Sequence, residues 1–385
     1  TQSRGLGDVY KRQLLHQALV YLVAALIAVP LSKRLGFGSV LGYLAAGIVI
    51  GPATLGLVQD PDHILHFAEL GVVFLLFIIG LELQPSRLWV LRKMVFGLGT
   101  AQVLLSATVI ALASMVFGLD LRTAVIVGLI LSLSSTAFVL QLLAEKNQLT
   151  TTYGRAAFAI LLFQDLAVIP LIALLPILAL SQGNGFQVES ILVAAVAIGG
   201  LILGGRLLLR PVLRIAASTG IPEIFTATAL LVVIGAALLM EFAGLSMVLG
   251  AFLAGMLLAD SEYRHELEAD IGPFKGLLLG LFFITVGAGI DFGILFGDFA
   301  TIIGLTLGVI AIKGLVLYAL ARLFRLQGAH RWLFTLGLAQ AGEFGFVLLS
   351  FSLQNNVIPG DLAATLSLVV ALSMLLTPGL FIIYD

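Results

Sequence analysis

The chain has 385 residues, 60% of them hydrophobic and 11% charged, with a formal net charge of −1 and a mean hydropathy of +1.15. A soluble protein carries about a quarter charged residues, so an ordinary soluble domain is excluded and a polytopic protein of the lipid bilayer is expected. The lack of cysteine excludes disulfides, thiolate metal sites and cysteine nucleophiles, and no basic stripe points to nucleic acid.

Residues 1–13 are polar, resemble no signal peptide and are read as a tail without functional weight. Beyond them, apolar runs long enough to cross a bilayer alternate with short polar loops. The pattern predicts an all-α polytopic membrane protein with about thirteen transmembrane helices. These runs lie near 14–31, 39–57, 68–84, 94–117, 123–144, 154–181, 189–209, 223–240, 243–259, 274–290, 299–321, 331–352 and 362–383. Lys33, Arg34, Arg87, Arg92, Lys93, Lys146, Arg155, Arg206, Arg210, Arg214, Arg264, Lys275, Arg322, Arg325 and Arg331 lie at or beyond the ends of odd-numbered runs. Apart from the tail, Arg122 alone faces the other side. The positive-inside rule then puts the N-terminus outside and the C-terminus in the cytoplasm. The sequence stops at Asp385, right after the last run, so any cytoplasmic domain lies outside it.

A repeat is visible. Val40-Leu-Gly-Tyr-Leu-Ala-Ala-Gly47 matches Val248-Leu-Gly-Ala-Phe-Leu-Ala-Gly255, an offset of 248 − 40 = 208. The same offset aligns Phe138-Val-Leu140 with Phe346-Val-Leu348, and Pro170 with Pro378. It carries run 2 onto 9, run 5 onto 12 and run 6 onto 13. A shift of seven helices, an odd number, turns the second copy over in the membrane. Repeat one then spans about 14–181, a linking helix about 189–209, and repeat two about 223–383. Inverted repeats of this kind build secondary transporters, with the site near the midplane on interrupted helices.

Two interruptions can be located. Run 5 contains Ser132-Leu-Ser-Ser-Thr-Ala137, and its partner, run 12, contains Gln340-Ala-Gly-Glu-Phe-Gly345. Both place small, polar, weakly helix-forming residues at mid-membrane depth. Ser134, Ser135 and Thr136 could simply bond back onto the preceding turn, but the repeat-matched position beside a buried Glu343 favours a break. Two crossed breaks bring free N–H and C=O groups to one point, where carbonyls and hydroxyls can ligate a cation.

Few charges remain inside the apolar runs. Glu82 and Glu241 lie near helix ends and are read as interfacial. Asp165, Lys313 and Glu343 lie well inside runs 6, 11 and 12. An ionised carboxylate at the bilayer centre costs roughly 2.5–3.5 kcal/mol or more unless a cation, a proton or a watery cavity compensates it. Asp165 is therefore expected to take a proton or a cation in turn, with Lys313 holding it when neither is bound. Glu343 is expected to balance helix dipoles or a basic group. A Lys–Asp pair serving only as a structural staple is the plainer alternative for Lys313.

Leu162-Phe-Gln-Asp-Leu-Ala-Val-Ile-Pro170, Leu76-Phe-Ile-Ile-Gly-Leu-Glu-Leu83, Gly250-Ala-Phe-Leu-Ala-Gly255 and Pro273-Phe-Lys-Gly-Leu-Leu-Leu-Gly-Leu-Phe-Phe283 closely resemble the Kef-type glutathione-gated potassium efflux systems, members of monovalent cation:proton antiporter family 2. The resemblance runs from roughly His16 to the C-terminus. It implies the sodium/proton-antiporter fold, with a six-helix core containing runs 5 and 12 and a dimerisation domain containing runs 1 to 3 and 8 to 10. It implies potassium/proton exchange in a bacterial inner membrane by a homodimer, with Asp165 as the carrying carboxylate and Gln164 beside it in place of a second aspartate, and hence electroneutral exchange. Potassium would be held at Asp165 and Gln164, with Ser134, Ser135 and Thr136 as further oxygens. Lys313 and Glu343 match the family's lysine and glutamate. His265, Glu266, Glu268 and Asp270 resemble its acidic regulatory loop, although Glu266 and Ala269 replace the usual Ala and Ser, and a merely solvated connection fits the charges as well. Glutathione and a nucleotide are expected only on a C-terminal regulatory domain or an ancillary subunit, and the chain itself carries no glycine-rich dinucleotide fingerprint.

Three alternatives stand beside this reading. Sodium/proton exchange needs the same single carboxylate and backbone oxygens. A ligand-gated potassium channel would want a ring of filter carbonyls, which the sequence does not show. An intramembrane hydrolase would need a second helix-borne Asp or a His near the Ser cluster, and neither is found, so no enzyme activity is expected.

Overall fold

In the computed structural model, residues 2–58, 62–82, 92–145, 147–148, 151–180 and 188–384 are described. The chain runs through α1 (Gln2–Arg34), α2 (Gly38–Ile50), α3 (Asp62–Glu82) and α4 (Met94–Val116), whose first turn, Met94–Gly99, is a π turn. It continues as α5 (Leu121–Ser132), α6 (Thr136–Glu145) and α7 (Thr152–Leu180). Next come α8 (Val188–Gly204), a second π turn (Gly205–Leu209) and α9 (Arg210–Ser218) as one rod. The second half comprises α10 (Pro222–Phe242), α11 (Met247–Leu258), α12 (Arg264–Ala288), α13 (Phe292–Gly297), α14 (Phe299–Leu323), α15 (Ala329–Leu338), α16 (Phe344–Gln354) and α17 (Gly360–Tyr384). Among the described residues, eight helical stretches are long and apolar enough to span a membrane, and α2, α5, α11 and α16 are shorter apolar helices. The protein is a multi-pass membrane protein.

In lipid, apolar side chains gain nothing by leaving the bilayer for one another, so helices associate where small residues let backbones touch. One helix group shows this in duplicate. Gly47 on α2 lies so close to α12 that an added Cβ would stand 2.0 Å from the Ile284 carbonyl oxygen. Its repeat partner, Gly255 on α11, lies on α3, where the same atom would stand 2.1 Å from the Phe77 carbonyl oxygen. Gly42 faces Val29 and Ser32 of α1, and its partner Gly250 faces Ala236 and Met240 of α10. Helices α1 to α3 and α10 to α12 thus form a panel in which each repeat clasps the other's counterpart helix.

A second group holds the interrupted helices. Asp120 starts α5 by accepting hydrogen bonds from the backbone N–H groups of Arg122 and Thr123 at 3.1 and 3.2 Å. Leu98, Val139, Ile160, Leu317 and Phe334 are buried together, binding α4, α6, α7, α14 and α15 into one body. Gly99 admits α7: its Cβ would fall 2.3 Å from the Phe163 Cβ. A polar tie joins this group to the panel. Glu69 of α3, buried, accepts hydrogen bonds from Ser350 Oγ (3.2 Å) and Gln354 Nε2 on α16.

Three expectations shift. The polar start of the chain is helical from Gln2, so α1 begins well before residue 14. The linking helix, expected to end near 209, continues to Ser218 through the π turn. Residues 265–270 form no loop but the first turns of α12, because Leu267 and Ile271, four apart, make a fully buried stripe. The charged residues between them had masked that period.

Candidate functional site

Both expected interruptions are present and in register. Helix α5 ends at Ser132, Leu133 is extended (φ −72, ψ 144), and α6 starts at Thr136. Helix α15 ends at Leu338 and α16 starts at Phe344, so the two restarts are 344 − 136 = 208 residues apart. The breaks touch. The Gly342 N–H donates to the Leu133 carbonyl at 3.0 Å, and a Cβ on Gly342 would meet Ser134 carbonyl atoms at 2.4 Å.

Lys313 closes the crossing. Fully buried on α14, its ammonium donates to the Leu133 carbonyl (2.8 Å), Ser134 Oγ (3.1 Å) and the Gln340 carbonyl (2.6 Å). Three N–H donors meet three oxygens. The two carbonyls lie just past the C-termini of α5 and α15, where the partial charge of a helix is negative. Lys313 therefore neutralises both of these ends at once. The expected Lys313–Asp165 pair is not made, since all three protons of the ammonium are already directed to the breaks.

The positive ends face carboxylates. Thr136, first residue of α6, donates from Oγ1 to Asp165 Oδ1 at 3.1 Å, and Glu343 occupies the N-cap position of α16. Asp165 on α7 keeps partial exposure, whereas Glu343 is 9% exposed. The crossing is thus a quadrupole of helix ends, with one ammonium on the two negative ends and one carboxylate near each positive end.

Gln164 turns the other way from its neighbour. Its Oε1 accepts from the Ser134 N–H at 2.8 Å, and its Nε2 donates to Gln102 Oε1 at 2.7 Å and Ser134 Oγ at 3.4 Å. Ser134 Oγ in turn donates to the Leu338 carbonyl at 2.7 Å, tying one break to the other. Ser135 Oγ accepts from the Phe138 N–H at 3.2 Å. The structure thus gathers Gln164, Ser134 and Lys313 into a buried scaffold, and sets Thr136 with Asp165 at its partly open side.

Two residues of this scaffold were missed in the sequence. Gln102, fully buried on α4, donates to the Ser132 carbonyl and Ser106 Oγ at 3.1 and 3.2 Å. Ser373 on α17 accepts from the Ala341 N–H of the second break at 3.1 Å. The repeat offset would have found Ser373, since 373 − 165 = 208 makes it the counterpart of Asp165. Each repeat aims this α7/α17 position at its own break, and only the first carries a charge.

The segment His265–Asp270 lies elsewhere, on the panel. His265 Nδ1 and Glu268 Oε2 are 3.9 Å apart, Glu266 is exposed in the first turn of α12, and Asp270 Oδ2 accepts from Thr226 Oγ1 at 2.7 Å.

Comparison with known proteins follows the same lines. The family described as sodium/hydrogen exchanger, transmembrane, matches residues 20–383. The chain is similar to the structure of the sodium proton antiporter MjNhaP1 from Methanocaldococcus jannaschii at pH 8. That match has 18% identity, 96% of this chain and 95% of the other covered, and a TM-score of 0.68. An electron-microscopy map of the same antiporter matches with 19% identity, 97% and 95% coverage, and a TM-score of 0.65. At such identities the likeness shows a shared fold, that of the sodium/proton antiporters.

Proposed function

The chain belongs to the sodium/hydrogen exchanger family, and from that premise we propose that it exchanges potassium for protons, one for one, at Asp165. The observation that carries this reading is the position of Asp165: a partly exposed carboxylate at the positive start of a half-helix, bonded to Thr136. A bound proton neutralises the carboxyl, whereas a cation shared with Thr136 Oγ1 needs it ionised. Proton and cation then exclude each other, and alternating exposure of the site couples their opposite movements. Gln164, committed to Ser134 and Gln102, supplies no second ionisable group, which supports electroneutral exchange. The potassium assignment is supported by the Kef-type motifs around Gln164-Asp165 and Pro273-Phe-Lys-Gly276. The same resemblance supports a homodimer in a bacterial inner membrane, with its N-terminus outside and its C-terminus cytoplasmic, and gating by glutathione through a regulatory domain or subunit.

The likeness to MjNhaP1 favours a sodium/proton reading as the second choice. Proteoliposome flux with potassium, sodium, rubidium and lithium separates the two. Potassium should drive proton movement in the wild type, with its apparent KM rising as pH falls, and Asp165→Asn should abolish exchange with folding intact. Proton release with sodium and none with potassium would reverse the ion assignment, and exchange retained by Asp165→Asn would defeat the site.

A further inference from the structure

A cavity of about 840 Å³ runs between α1 and α2 on one side and α13 and α17 on the other. Its walls are apolar, with Ala24, Ile27, Ala45, Leu372 and Leu375 among them, and the lining Ser32 spends its hydroxyl on the Gly38 carbonyl at 2.7 Å. From Leu19 on α1 to Leu35 just past its end, the lining spans sixteen residue steps, roughly 24 Å at the helical rise, close to the thickness of a bilayer core. A space this apolar and this long, in a protein whose surroundings are lipid, matches an extended hydrocarbon chain.

The two ends of the groove differ in charge. Beside its lining residues Leu31 and Leu35 stand Lys33 and Arg34, both exposed and, among the described residues, in no ion pair. At the opposite end, the lining residues Phe292 and Leu295 stand between the exposed carboxylates Asp291 and Asp298. An anionic headgroup is therefore drawn to the Lys33–Arg34 end and repelled from the other. Lys and Arg beside an anionic leaflet attract its headgroups.

We propose that this groove is a binding site for one anionic phospholipid, its acyl chain between α1–α2 and α17 and its phosphate on Lys33 and Arg34. The positive-inside rule assigns that end to the cytoplasmic leaflet. The site is internal to one copy of the chain. The opposite stripe of α1, with Leu22 and Leu26 at 53% and 74% exposure, stays outside it. One wall belongs to the panel and the other to the interrupted-helix group, so the lipid sits where the two would slide.

The test uses the purified full chain, stripped in mild detergent and re-equilibrated with phosphatidylglycerol or phosphatidylcholine, with retained lipid read by native mass spectrometry. Wild type should keep phosphatidylglycerol at least tenfold better than phosphatidylcholine. Lys33→Gln/Arg34→Gln should erase that preference, and Ala45→Trp, which fills the groove from an exposed position, should lose both lipids. Equal retention of the two lipids by wild type, or undiminished retention by Ala45→Trp, would overturn the proposal. So would efficient cross-linking of two copies through Ala45→Cys, clean in a chain without cysteine, since a second protomer would then cover the groove.

Discussion

Lys313 and Asp165 divide the labour of charge at the crossing, and substitutions should separate their roles. Lys313 is buried among three oxygen acceptors and two helix ends. Lys313→Met keeps the volume and removes every donor: the Gln340 carbonyl loses its ammonium, while the Leu133 carbonyl keeps the Gly342 N–H and Ser134 Oγ keeps Gln164 Nε2. An unsatisfied buried polar group costs about 1–3 kcal/mol, so the variant, with one carbonyl left bare, should lose stability on the order of 2 kcal/mol. A clear fall in thermal midpoint of the purified protein would register it. Asp165→Asn preserves an acceptor for Thr136 and should leave that midpoint almost unchanged. A Lys313→Met protein as stable as wild type would show that the breaks hold themselves.

At the level of elements, the crossing depends on one residue without a side chain. Gly342→Ala would drive a Cβ into the Ser134 peptide, where backbone on both sides leaves nothing flexible to yield. Gly304→Ala on α14 meets no atom within 4 Å. The first should abolish monodisperse folding or flux, measured by size-exclusion profile and proteoliposome uptake, and the second should change neither. The breaks themselves were legible in the sequence because Ser132–Thr136 and Gln340–Gly345 are weak helix formers at matched positions of a repeat. Gln102 and Ser373 were not, since a neutral polar residue in an apolar run looks the same whether it bonds its own helix or a neighbour. Only the crossing's geometry tells the two apart. The start of α12 was obscured for a different reason: the charges of His265–Asp270 read as a loop, although Leu267 and Ile271 carry the helical period.

On the scale of the whole molecule, panel and interrupted-helix group are joined by the Glu69 tie to Ser350 and Gln354. If exchange requires these bodies to shift past each other, fixing them together must stop it. Glu69→Cys/Gln354→Cys, bridged by a short bifunctional thiol reagent, should arrest flux, and a reducible bridge should restore it. Thr226→Cys/Asp270→Cys joins two helices of the panel alone, at a site bonded over 2.7 Å, and bridging it should leave flux intact. Arrest by both bridges would mean that the panel deforms during transport. Side-chain reach makes a spacer reagent preferable to a direct disulfide, which tolerates Cα separations only to about 7 Å.

The paired glycine contacts carry one more implication. Gly47 against Ile284 and Gly255 against Phe77 agree to 0.1 Å (2.0 and 2.1 Å), although they belong to copies of opposite orientation. Exchanging the conformations of the two repeats would hence return the panel to itself. The crossing would not return to itself, because Asp165 and Ser373 would trade surroundings. If exchange runs through such a swap, the panel is its fixed frame, and the difference between the two repeats charts the path between the two faces.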